Sequence, residues 1–297
     1  MYTYVAGCHL GHQLEFGVAL LCYLFFFPID EAKILHPKWI LQVIGFNLTC
    51  EFVICGFWHW FMYRSSYGQS APMQVKKFNA VNQYEEEKAH GFFTSFGNLQ
   101  REVLFTTMGW LQSAALQCFA MHMWASGRIP FYMDFWGPAG ENAFRSMSHL
   151  LFITYWREFH FYWCHRMIHP WRVQLPLLGD PGLFLYKKFH SLHHKSYNPG
   201  PFSGLAMHPV EHFFYYSCAW LPLCFNTHPL HFLYAKFHAD IAPIGGHDGY
   251  GDPAGNGDFH YLHHAKFECN YGVPLIPFDK LFGTWIDYAQ SKPAKKL

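Results

Sequence analysis

The sequence predicts an all-α fold, an integral membrane helical bundle of about four to six membrane-embedded helices with a cytosol-facing, histidine-rich cap. Three observations predict it. Charged residues make up only 14% of the 297 while aromatics reach 21%, against about a quarter charged in soluble domains. Several stretches are long and nearly free of charge. Histidines gather in three short clusters at helical spacing, all in the second half of the chain. The mean hydropathy of -0.02 averages polar histidine loops with apolar spans and so conceals the latter.

In chain order, Leu14 to Pro28 is the first apolar run, extended by apolar neighbours. Trp39 to Tyr63 follows with one acid, Glu51. Arg64 to Gly97 is a polar connector containing Glu85-Glu86-Glu87-Lys88, read as a solvated loop or surface helix. Val103 to Ala125 carries no Asp, Glu, Lys or Arg and has the length of one bilayer crossing. Arg128 to Arg145 is a Pro/Gly/aromatic link at the interface. Met147 to Ile168 is long enough to span, with Arg157 and Glu158 inside it. Phe213 to Ile244 is aromatic, is broken by Pro222 and Pro229, and reads as a helical hairpin. Trp39, Trp60, Tyr63, Trp110 and Trp124 sit near span ends, as in an interfacial belt. The division is 1–146 for N-terminal membrane helices and connector, and 147–297 for a histidine-cluster unit. The competing reading is a soluble helical protein with an aromatic core, which about 20 consecutive apolar residues disfavour.

A formal charge of +1 supplies no basic field for nucleic acid and no acidic tail. The first apolar run has no basic n-region or small-residue cleavage site, so no cleavable secretory signal is expected. Nine cysteines include no CxxC pair, and Cys22, Cys50, Cys55, Cys118, Cys164, Cys218 and Cys224 lie in apolar runs. They read as small buried hydrophobes, and the clusters as facing a reducing, cytosolic compartment.

The clusters are His165/His169, His190/His193/His194 and His260/His263/His264. Imidazole is the commonest side-chain metal ligand, and steps of four, or three then one, put the rings on one helix face. Three such groups predict convergence on one polynuclear site. Eight imidazoles exceed what one ion needs, since zinc prefers four ligands, so two metals sharing the set is the economical reading. On a helical wheel His160 falls opposite His165, which makes it a packing residue. His247, between glycines, is either a ligand or a loop histidine. His208 precedes Pro209 and is open between ligation and helix capping. Neutral ligands leave metal charge uncompensated, so nearby acids are expected around them: Glu158, Glu211, Asp248, Asp252, Asp258 and Asp279. Imidazole suits Zn, Cu, Fe and Ni alike. A site at the edge of membrane helices meets lipids, whose unactivated C–H bonds call for O2 and a redox metal.

His165-Arg166-Met167-Ile168-His169, His190-Ser191-Leu192-His193-His194 and His260-Tyr261-Leu262-His263-His264 together resemble the fatty acid hydroxylase/sterol desaturase superfamily of membrane di-iron enzymes. Supporting matches are Tyr162-Trp163, His208-Pro209-Val210-Glu211, His247-Asp248-Gly249-Tyr250, Asn270-Tyr271-Gly272 and Asp279-Lys280-Leu281-Phe282-Gly283-Thr284. The resemblance covers roughly Tyr155 to Trp285. It implies a membrane enzyme of the endoplasmic reticulum with cytosolic clusters, two irons with zinc as a possible substitute, O2, and hydroxylation or desaturation of a sterol or fatty-acyl substrate. It also implies His247, and with less support His208, as ligands. No His-Pro-Gly-Gly haem motif occurs, so electrons are expected from a separate cytochrome b-type carrier and its reductase. Lys295-Lys296-Leu297 is loosely similar to a dilysine retrieval signal. Two other readings remain open: a catalytically silent membrane subunit that kept the metal scaffold, and a membrane zinc hydrolase using Glu158 or Glu211 as base.

Overall fold

The computed structural model describes residues 2–70, 97–177, 179–251 and 256–287. Glu85–Lys88, Asp252 and the Lys295-Lys296-Leu297 end lie outside the described residues. Within them the regular structure is helical, with two isolated bridges, Phe131 to Thr227 and Leu175 to Gly179, and no strand. The long helices are α1 (Tyr2–Phe25), α2 (Pro37–Tyr63), α3 (Asn98–Ala125) and α4 (Ala143–Met167). The shorter α5 (Pro181–Lys188) and α6 (Pro209–Tyr216) precede a fifth long helix, α7 (Pro229–Gly246), followed by α8 (Asn256–Lys266) and α9 (Phe278–Leu281). Tight 3-10 turns at His190–Lys195 and Ser217–Cys224 follow α5 and α6.

Three helices start on the same device, a histidine followed by proline. His36, His208 and His228 each accept a backbone N–H two residues on, from Lys38, Val210 and Leu230, at 3.1–3.2 Å. Proline at the first helical position lacks only an N–H that would be unpaired there. The imidazole nitrogen satisfies one of the remaining orphan donors, as a Ser or Asp cap does elsewhere.

The axis of the bundle is α7, buried at every position from Pro229 to Ile241. α1 packs along it, and α2, α3 and α4 also contact it. Its interior contacts join an apolar core, with Phe232, Leu233 and Phe237 at its centre, to a polar network. Lys236 Nζ donates to Asp240 Oδ2 at 2.6 Å and to Glu51 Oε1 of α2 at 3.1 Å. Asp240 also accepts from Ser113 of α3 at 2.9 Å and from Tyr216 at 2.7 Å. Asn47 donates to Gln117 at 3.0 Å. The outer faces are apolar: Leu24, Val53, Phe57, Phe119, Leu151 and Phe152 are all more than half exposed.

By length and composition one helix among the described residues, α2, can cross a membrane, and His12–Phe25 is a shorter apolar run. At 27 residues, α2 is about 40 Å long. The other expected spans differ for physical reasons. Val103–Ala125 lies in α3, which turns Thr106, Ser113 and Gln117 inward, so its polar residues serve the interior. The hairpin expected over Phe213–Ile244 has a first arm that tightens into 3-10 helix around Pro222 and a second arm, α7, enclosed by other helices.

The Lys236 triad supplies a stability test. Lys236→Met leaves two buried carboxylates facing each other, and removing one partner of a buried ion pair costs about 3–5 kcal/mol. Glu51→Gln leaves the Lys236–Asp240 pair intact and is expected to cost about 1 kcal/mol. Denaturant melts in detergent should rank the two variants in that order.

Candidate metal centre

Nine histidines converge at one end of the bundle. They form two groups with ring nitrogens close enough to share an ion: His165, His169, His190, His194 and His263, and beside them His193, His247, His260 and His264. None is more than 7% exposed. His165 lies in the last turn of α4 and His169 just past its end; His247 caps α7; His260, His263 and His264 are on α8. The second cluster sits on a 3-10 turn instead of an α-helix, which corrects the α-helical spacing assumed for it.

The surroundings fix the tautomers. Nδ1 of His165 donates to the Tyr271 carbonyl at 2.7 Å, Nδ1 of His263 to the Cys269 carbonyl at 2.7 Å, and Nδ1 of His247 to the Pro243 carbonyl at 2.8 Å. His190 Nδ1 donates to Glu211 Oε1 at 2.6 Å. A neutral imidazole that donates through Nδ1 carries a bare lone pair on Nε2. Two of those lone pairs face each other, His165 Nε2 lying 3.1 Å from His190 Nε2, and His194 Nε2 lies 3.1 Å from the same His190 nitrogen. In the second group His247 Nε2 is 2.9 Å from His260 Nε2 and 3.4 Å from His193 Nε2. His263 Nε2 is buried with no hydrogen-bond partner. Facing lone pairs repel, and buried nitrogens without partners are rare. A cation in each group removes both penalties, so the donor set fits two metal ions.

Burial keeps the rings neutral. It pushes His169, His193, His194, His260, His263 and His264 well below the ordinary histidine value, with neighbouring imidazoles adding to the shift. Burial likewise lowers His247, to about 4. These groups are unprotonated bases at neutral pH, the form that binds metal.

Of the acids, Glu211 pairs directly with a cluster histidine, His190. Asp279 works at one remove: its carboxylate accepts from the N–H groups of Tyr271 and Gly272 and from Thr284 Oγ1, which aims the Tyr271 carbonyl at His165. Asp248 accepts from Trp58 Nε1 at 3.2 Å and from the Tyr250 N–H at 3.0 Å, fixing the segment after His247. Asp258 lies in the first turn of α8. Glu158 pairs with Arg157 at 2.9 Å. His208 stands apart from the nine, its Nδ1 used by the α6 cap and its ring 5.0 Å from Phe189. His160 accepts or donates at Ser217 Oγ, 2.7 Å away.

Sequence reasoning missed two residues that seat His169. Asp180 accepts from the N–H groups of Trp171, Arg172 and Leu183, tying the loop after His169 to the start of α5. At Gly182 a Cβ would lie 2.1 Å from the His169 carbonyl oxygen, so only glycine fits. The Asp-Pro-Gly run at 180–182 is the signal that could have pointed to a constrained cap there.

A family model for fatty acid hydroxylases matches residues 150–284, the stretch that holds all nine histidines. Similar proteins include a Delta(7)-sterol 5(6)-desaturase of Gibberella zeae, 32% identical over 43% of this chain and 35% of its own. A Delta(7)-sterol-C5(6)-desaturase of Nicotiana tabacum is 32% identical over 47% of this chain and 50% of its own. A sphingolipid C4-hydroxylase of Saccharomyces cerevisiae is 28% identical over 49% of this chain and 41% of its own. This segment is similar to the fatty acid hydroxylase/sterol desaturase superfamily. The chain spans about half the length of the curated relatives it matches, between 35% and 50% for these three. No solved structure matches it.

The centre opens onto a cavity of about 1010 Å³. His165, His190, His193, His247 and His260 form one end, and Ile54, Phe57, Phe161, Met207 and Ile241 contribute its apolar walls. An apolar chamber with polar groups concentrated at defined points is the usual form of a small-molecule site.

Four variants separate ligation from seating. His193→Ala and His263→Ala each remove one of the nine nitrogens and should lower bound metal, whereas His160→Ala should leave it unchanged. Gly182→Ala removes no candidate ligand, yet by displacing His169 it should also lower metal content. Elemental analysis of the purified variants reads both effects.

Proposed function

We propose that the protein is an O2-dependent lipid oxidase of a membrane, hydroxylating or desaturating a sterol or fatty-acyl chain at a two-iron centre held by the nine histidines. The observation that carries the reading is the pair of facing, hydrogen-free Nε2 atoms of His165 and His190, 3.1 Å apart, at the end of an apolar cavity. Irons bound there would supply the redox chemistry that an unactivated C–H bond requires.

The chain's own residues do the rest. Glu211 and the carbonyls of Tyr271, Cys269 and Pro243 hold four imidazoles in one orientation, as outer partners of ligands generally do. Apolar walls keep water from the centre and accept a hydrocarbon. The inverted pattern of the bundle, with Lys236, Glu51 and Asp240 inside and Leu24, Val53 and Phe119 outside, suits a lipid surround, where ionisable residues face the bundle interior. In this reading the enzyme resides in the endoplasmic reticulum with the histidines toward the cytosol, and a separate cytochrome b-type carrier and its reductase deliver electrons. The names of the relatives, sterol desaturases and a sphingolipid hydroxylase, support a lipid substrate.

The test is elemental analysis of protein purified in mild detergent under low oxygen, followed by turnover of sterols and ceramides with a reductase system. Near two irons per chain and O2-dependent product support the reading. Two zincs with oxygen-independent turnover point to a hydrolase instead. A folded protein that binds no metal when offered iron, and turns over nothing, is a silent subunit and ends the oxidase reading.

A further inference from the structure

The cavity has a second polar group, remote from the metal centre. His238 Nδ1 donates to Glu15 Oε2 at 2.5 Å, and His12 Nδ1 lies 3.3 Å from the same oxygen. Tyr234 OH, 3.0 Å from Thr154 Oγ1, borders the group. His12, Glu15 and His238 all line the cavity that the metal-centre histidines close at the other end. His238 and Glu15 are each 2% exposed. From His238 to His247 there are nine residues of α7, about 13 Å along the helix, so the two ends are separate sites in one chamber.

His238 is the member with unused capacity. Its Nδ1 proton is given to Glu15; in the neutral ring Nε2 then carries a lone pair, and that nitrogen is buried with no hydrogen-bond partner. A buried acceptor left unpaired is costly and calls for a donor. The two imidazoles already occupy the Glu15 carboxylate through their Nδ1 atoms, an arrangement of hydrogen bonds rather than of metal ligation. The guanidinium at this end, Arg157, is engaged by Glu158 at 2.9 Å and by Tyr215 at 3.2 Å, which leaves an anionic head without a dedicated partner. A neutral O–H is what the lone pair suits.

We propose that His238, oriented by Glu15, anchors the hydroxyl group of an amphiphilic alcohol whose apolar body runs along the cavity toward the nine-histidine centre. The lipid-oxidase reading supplies what happens at the far end; the anchor itself is a binding site and is testable without turnover. The chemistry is shared by sterols and by long-chain alcohols, and the probes distinguish them.

The experiment is equilibrium binding of tritiated cholesterol and tritiated octadecan-1-ol to the full chain in nanodiscs, competed by each alcohol and by its methyl ether. The ether keeps the body and loses the donor. At least one alcohol should compete about tenfold better than its ether, the value of one well-made hydrogen bond, and the arm that shows the ratio identifies the class. His238→Phe should bring that ratio close to one while metal content stays at the wild-type level; His238→Leu serves if the Phe variant does not fold. A wild-type ratio near one in both arms overturns the anchor, as does a tenfold ratio that survives in the variants. Tighter competition by octadecylamine than by octadecan-1-ol also overturns it, because the head would then be an amine. Two bound irons and lipid turnover without any alcohol preference would remove the anchor and leave the oxidase reading standing. An alcohol preference that persists in metal-depleted His193→Ala would establish the anchor independently of the centre.

Discussion

Lone-pair repulsion among buried imidazoles is the constraint around which this molecule is built. Nine rings are excluded from water, and two of them, His165 and His190, face bare Nε2 lone pairs across 3.1 Å, a contact that no neutral arrangement of that pair stabilises by itself. The protein makes it possible by anchoring the opposite edge of four rings: the carbonyls of Tyr271, Cys269 and Pro243 and the carboxylate of Glu211 take the Nδ1 protons. Each acceptor is in turn immobilised. Asp279 pins Tyr271, the helix-end carbonyl of Pro243 belongs to a helix enclosed on all sides, and Glu211 sits in the first turn of α6. Rigidity at the centre is therefore inherited from backbone hydrogen bonds several residues away, which is why Gly182 matters although it carries no side chain.

The same logic of enclosed polarity extends through the helices. α7 presents Lys236 and Asp240 to the inside of the bundle, and α2 and α3 answer with Glu51 and Ser113. Two carboxylates and one ammonium share a space without water, so each depends on the others. A single helix thus does two jobs: α7 closes the cavity with His238 and Ile241, and holds His247 at its C-terminal end.

How much of this was legible in the sequence depended on range. The three clusters are local patterns, and their residues needed only helical spacing to be singled out; Glu211 and Asp279 stood close enough to motifs to be counted among the relevant acids. What distance along the chain concealed was the partner of each group. Glu15 meets His238 across more than two hundred positions, and neither sits in a motif. The uncharged run Val103 to Ala125 did not reveal which way its residues face, and α3 turns Thr106, Ser113 and Gln117 inward. His208, open in the sequence between ligation and capping, caps α6 beside Pro209, the role that His36 and His228 share.

The partition of the clusters follows from angles that the two short repeats have in common. In each His-x-x-His-His unit, the first and last histidines serve one group and the middle one serves the other: His190 and His194 with His193 opposite, His260 and His264 with His263 opposite. In both units the first and middle rings lie nearly parallel, 5.4 Å apart in one and 5.3 Å in the other. On α8 residues four apart differ by about 40° and residues three apart by about 60° in the other sense, so the His263 ring leans to the far side, while the 3-10 turn carrying His190, His193 and His194 reaches the same division on a different backbone. The two units contribute in opposite order, two nitrogens and one to the first group, one and two to the second. His165 and His169 complete the first group and His247 the second. One motif used twice in reversed roles is what makes two adjacent sites out of a single run of imidazoles, with their separation set by the spacing of parallel rings.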